Sequence, residues 1–157
     1  MNGIINAINR VVEKLGALSL SNEQAIAKID LSTAQSIVRA TYTKLNLDRL
    51  VFQRGNINAN ITNKKIIVNT SGIYQVTFYE QWADCKTGIA RGVKLYKNGL
   101  RIEVIFISKD GAGRWYNATN GVYEASAGDY FEIYVYQDSD ANLNMTSASM
   151  TVQKISN

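Results

Sequence analysis

Apolar residues recur along the chain on two different periods. Near the start, Ile4, Ile8, Val11, Leu15 and Leu18 are spaced by 4, 3, 4 and 3 positions. That is the seam of a helix that packs against another helix. Asn6, Asn9, Arg10, Glu13 and Lys14 occupy its other faces. The spacing predicts either an amphipathic helix lying on its own domain or a short oligomerising stem, a coiled coil. Two heptads are marginal alone, so a stem needs something downstream that already holds the chains together. Ser21-Asn22-Glu23-Gln24 has the form of a capping box and predicts a second short helix through Ile26 and Ile29. Residues 1–32 are assigned to this helical stem or anchor and residues 33–157 to a head domain.

From about residue 34 the period becomes two. Strands are predicted over residues 36–43, 65–68, 73–82, 91–96, 101–108, 115–119, 129–137 and 148–155, whereas 58–63 reads as a polar segment. In the clearest early strand Tyr74, Val76, Phe78 and Trp82 share one face. Lys97-Asn98-Gly99 is the strongest short hairpin signal. Eight or nine strands separated by turns, without an internal helix or a repeat, predict an antiparallel β-sandwich of the jelly-roll kind.

Two of these strands are loaded on both faces. Phe131, Ile133 and Val135 alternate with Tyr130, Glu132, Tyr134 and Tyr136, and Ile105 and Ile107 lie opposite Ile102, Val104 and Phe106. A sheet with one wet face alternates cleanly. The second face is either a set of tyrosines exposed on a strand or a tyrosine-rich subunit interface. On the interface reading the oligomer contacts are Ile4, Ile8, Val11, Leu15, Leu18, Tyr130, Tyr134, Tyr136, Ile105 and Ile107. Glu132 then needs a cation, such as Arg101 or a lysine from another chain.

Composition removes much of enzymology. Among 157 residues there is no histidine, no proline and one cysteine, Cys85. Serine or cysteine hydrolases built on an imidazole base are excluded, as are histidine zinc sites and an internal disulfide. Cys85 reads as a buried or unreactive thiol. The net charge of +4 is carried by scattered residues, with Lys64-Lys65 the one basic doublet. No nucleic-acid partner is therefore expected. The opening Met-Asn-Gly-Ile-Ile-Asn predicts no signal peptide, and the short apolar runs predict no membrane insertion.

The candidate chemistry is sparse. Glycines 111 and 113 lack the Gly-Lys-Ser/Thr of a phosphate loop. Glu80 and Asp84 flank Trp82 as a carboxylate pair beside a ring, a weak pointer to a glycan-acting enzyme. Trp82, Trp115 and Tyr116 are candidate glycan-stacking rings if their segments gather at one end of the sandwich, and core residues otherwise. Asp138-Ser139-Asp140-Ala141-Asn142 has oxygen-ligand spacing, which makes Asp138 and Asp140 weak cation candidates. It lacks the glycine and downstream glutamate of an EF-hand. No cofactor is expected.

Three motifs in order carry a resemblance: Ser71-Gly72-Ile73-Tyr74-Gln75-Val76, Val93-Lys94-Leu95-Tyr96-Lys97-Asn98-Gly99 and Ser126-Ala127-Gly128-Asp129-Tyr130-Phe131-Glu132-Ile133. Together they resemble the tumour-necrosis-factor and complement-globular-head superfamily of jelly rolls over residues 34–157. The resemblance implies a parallel homotrimer with aromatic side chains along the threefold axis and an N-terminal stalk. The absence of a collagen or other long stalk sets the chain apart from secreted animal members. It lies nearer bacterial and bacteriophage relatives that serve as fibre or spike heads. The expectation is a non-enzymatic virion protein made in the host cytoplasm. It would join other virion proteins through its N-terminal segment and meet host surface glycan or protein at its tip. The alternatives are a lectin-like adhesion module at a bacterial cell surface and, less favoured, the glycan-acting enzyme.

Overall fold

The computed structural model describes residues 2–21, 24–83, 89–109 and 115–157. One helix, α1 (Asn2–Ser21), precedes twelve described strands: β1 (Ile26–Asp30), β2 (Gln35–Ile37), β3 (Thr43–Lys44), β4 (Arg49–Arg54), β5 (Ile57–Asn60), β6 (Lys65–Val68), β7 (Gly72–Trp82), β8 (Ile89–Lys97), β9 (Leu100–Lys109), β10 (Trp115–Ala125), β11 (Tyr130–Gln137) and β12 (Leu143–Ser156). They form two antiparallel sheets. The first runs β10-β7-β12-β1-β4 with β2 on β12, and the second runs β5-β6-β11-β8-β9 with β3 on β11. The pairing is nested. Around the β8·β9 hairpin close β7·β10, then β6·β11, then β1·β12, alternating between the two sheets. This is a jelly roll: one long hairpin wound across two sheets.

Alternation places the core. In β7, Tyr74, Val76, Phe78, Glu80 and Trp82 are buried while the residues between them are not. Phe131, Ile133 and Val135 of β11 and Met150 and Val152 of β12 join them, with Ile29, Ile37, Leu45, Leu47, Ile57 and Ile66. Each such side chain contributes roughly 1.5–3 kcal/mol of burial, which holds the two sheets together.

The structure corrects several expectations. No second helix runs through Ile26 and Ile29; that segment is β1, paired with both β12 and β4. Ala25, Ala27 and Ile29 alternate into the core, so tertiary pairing overrides the capping signal. The stem therefore ends at Ser21 and the head begins by Ile26, not at residue 33. The single strand expected over 36–43 is two short strands. Between them Ala40 takes φ 55° and donates its N–H to the Gln137 carbonyl at 2.8 Å. β4 and β5 were not expected.

The three sequence motifs meet at the end of the sandwich where β1 begins. Asn98 and Gly99 turn the β8–β9 hairpin with φ of 55° and 76°, the left-handed pair of a tight hairpin turn. The Asn98 amide donates to Asp129 Oδ1 at 2.7 Å, and its side-chain oxygen accepts the Tyr130 N–H at 3.0 Å. Asp129 also accepts the Ser126 N–H at 2.9 Å. The hydrogen bond from Asn98, then that from Ser126, hold the Asp129 carboxyl below the usual range. Ser71 Oγ accepts the Ala127 N–H at 3.2 Å. At Gly72 a Cβ would run into the Ser156 carbonyl oxygen and the Lys154 side chain. The motifs form one clasp, and their work is structural.

Candidate functional site

The helix carries the most exposed apolar surface. Ile4, Ile5, Ile8, Val11 and Val12 are 69, 52, 55, 55 and 61% exposed. Among the described residues the head does not cover this part of α1. In heptad terms Ile8 and Leu15 take one seam position, Ile4, Val11 and Leu18 the other, and Ile5 and Val12 widen the stripe on one side. A two-helix seam needs only the first two positions. The side chains of Leu15 and Leu18 lie outside the described residues.

The tyrosine strand faces outward on the second sheet, and its own chain half-covers it. Tyr134 packs on Tyr96 with ring centroids 4.5 Å apart, and Tyr136 on Tyr42 at 4.9 Å. Lys65 Nζ lies 3.7 Å from the Tyr130 ring centroid and Lys94 Nζ 3.2 Å from that of Tyr42. Gly92 sits opposite Tyr136 in the register and has no side chain on this face. Glu132 finds a cation within the chain, in Lys44 Nζ at 2.5 Å. The register places Ile105 opposite Val93 and Ile107 opposite Arg91; their side chains lie outside the described residues.

At the opposite end of the sandwich, Trp82 and Trp115 sit opposite one another in the β7–β10 register. The expectation that both tryptophans present stacking faces does not hold for Trp82. It is fully buried and faces the second sheet, with the Arg91 guanidinium 5.3 Å from its ring centroid. The Trp115 side chain lies outside the described residues, as do Asp84, Cys85 and residues 110–114. Tyr116 is 54% exposed on the outer face of β10.

Sequence reasoning named Glu80 only as half of a carboxylate pair and missed that it is buried beside Trp82. Glu80 is 1% exposed. Both of its oxygens, Trp82 Nε1 and Asn117 Nδ2 are buried with no hydrogen-bond partner among the described residues. Burial pushes the Glu80 carboxyl up to about 7, against the pull of the Trp82 indole, the Asn117 amide and the Arg91 charge. The signal was present in the sequence, because Glu80 is in phase with Tyr74, Val76, Phe78 and Trp82. Glu80 is thus shut between the two sheets, and Asp84, the other member of the pair, lies outside the described residues.

Asp138 and Asp140 are both exposed. Asp138 Oδ1 accepts the Ala90 N–H at 2.8 Å, tying the loop to β8. The next loop residue is held as firmly: Ser139 Oγ donates to the Ala141 carbonyl at 2.6 Å. Among the described residues no three or more Cys, Asp or Glu side chains gather into one group. No helix among them is long and apolar enough to cross a membrane. No protein-family model matches the chain, and no curated protein matches its sequence.

Proposed function

We propose that the chain is a non-enzymatic structural protein: the trimeric head of a bacteriophage fibre, spike or decoration, joined to the particle through its N-terminal helix. The observation that carries this reading is α1, whose apolar stripe is uncovered by its own head. An isolated helix of this length is marginal, and an exposed stripe of isoleucine and valine invites like helices. Branched residues at both seam positions, with leucine mixed in, favour three or more strands over two. The widened stripe at Ile5 and Val12 points the same way. The resemblance of the head motifs to trimeric jelly rolls agrees with that number. A trimeric head would supply the downstream association that a two-heptad stem requires.

The reading is tested by locating the protein. Antibody to the head should label purified particles, and the chain should band with them in a density gradient. Ile8→Asp places a charge in the stripe and should abolish incorporation while leaving the head's thermal transition unchanged. Recovery only in particle-free fractions, or full incorporation of the variant, would overturn the reading. Recovery at a bacterial surface would favour the adhesion module.

A further inference from the structure

The basic residues that look scattered along the sequence are gathered by the fold. Lys44 on β3, Lys65 on β6, Lys94 on β8 and Arg101 on β9 stand on the outer face of the second sheet. Lys44 bonds Glu132, Lys65 lies over Tyr130 and Lys94 over Tyr42. Arg101 sits opposite Tyr96, whose ring packs on Tyr134. Tyr42, Tyr96, Tyr130, Tyr134 and Tyr136 fill the space between them. Among the described side chains of this face Glu132 is the single carboxylate, and Lys44 neutralises it. Lys65, Lys94 and Arg101 are left without an acidic partner among the described residues.

Lys94 and Arg101 are close enough to act on each other. Burial among the rings, and then the neighbouring Arg101 charge, hold the Lys94 ammonium below its ordinary range. Arg101 likewise acts on the Tyr42 phenol, whose pKa is raised mainly by burial. Two adjacent cations with no counter-charge are stabilised by an anion.

We propose that this face binds an anionic polysaccharide, with Lys94 and Arg101 holding its carboxylate or sulfate groups and the packed tyrosine rings bordering them. Charge complementarity selects this occupant. A second copy docked face to face would bring cations against cations. A nucleic acid would use basic residues too, but single strands bind by stacking bases on free aromatic faces. Here Tyr96 packs on Tyr134, Tyr42 lies between Tyr136 and Lys94, and Lys65 covers Tyr130. The proposal does not rest on the trimeric stem. If the fibre reading fails, the face keeps the same chemistry.

Binding of the full chain to immobilised polygalacturonate, dextran sulfate, neutral dextran and a single-stranded oligothymidylate tests this. Association state is read separately by sedimentation, so failure of the stem reading stays distinguishable. The chain should bind one or both anionic polysaccharides, lose them at high salt and ignore neutral dextran. Arg101→Glu, at an exposed position, should weaken binding by about tenfold or more. Arg54→Glu makes the same change of charge at an exposed site on β4 in the other sheet, and should leave binding within about twofold. Absence of binding to both polyanions overturns the proposal. Equal losses in the two variants also overturn it, by showing unspecific charge attraction. Tighter binding to the oligothymidylate, lost in Arg101→Glu, would assign the face to nucleic acid instead.

Discussion

A carboxyl that folding carries from water into the space between two sheets prefers to arrive protonated. Glu80 has an ordinary value of 4.5 and a folded value of about 7. Between those values the folded chain holds a proton that the unfolded chain has lost. Stability from this residue therefore falls as pH rises from 4.5 through 7, and is flat above. The span corresponds to about 3 kcal/mol. Glu80→Gln keeps the shape and removes the titration. It should raise the thermal midpoint at pH 8, leave it nearly unchanged at pH 4, and reduce the decline between them. Asp129, held low by Asn98, contributes the opposite slope at acid pH, so the difference between variant and parent is the quantity to read. An unchanged slope in Glu80→Gln would show that Glu80 is not the group responsible. Trp82 illustrates the same scale from the other side. Its residue type suited a binding platform, and its phase along β7 put it in the core.

At the scale of elements, the clasp between the β8–β9 turn and the start of β11 is the most specific local device. Asn98→Ala removes its bonds to Asp129 and to the Tyr130 N–H and places alanine at φ 55°. The loss should be about 1–3 kcal/mol. Combined with Asp129→Ala it should be less than additive, because both substitutions break one network. Additive losses in urea unfolding would show the two residues to be independent. The elements legible in the sequence were those with one buried face, such as β6, β7, β8 and β11, where alternation is strong. β4 was not legible because all six of its residues are exposed, so its edge position left no alternation to read. β1 was misread because Ile26 and Ile29 fit a helical spacing and followed a capping sequence. Pairing with β12 and β4 decided its state, and pairing is not a local property. The motifs of the resemblance were legible as turns, but their mutual hydrogen bonds appear only when chain segments some 30 residues apart meet.

For the whole molecule, two surfaces carry the account, and the sequence disclosed them unequally. The stem stripe was readable because its residues are neighbours on one helix; Ile5 and Val12 joined it only once exposure was known. The basic tyrosine face was not readable as a site. Its cations come from β3, β6, β8 and β9, and only the winding of the hairpin between two sheets collects them. The tyrosines of β11 were noticed, but Lys44, Lys65, Lys94 and the rings of Tyr42 and Tyr96 already half-cover them. The most direct test is sedimentation equilibrium of the full chain at micromolar concentration. The account predicts a mass three times that of the 17.4 kDa chain, reverting to the single-chain mass in Ile8→Asp. A stable monomer for the parent protein, or an unchanged assembly in the variant, would contradict it.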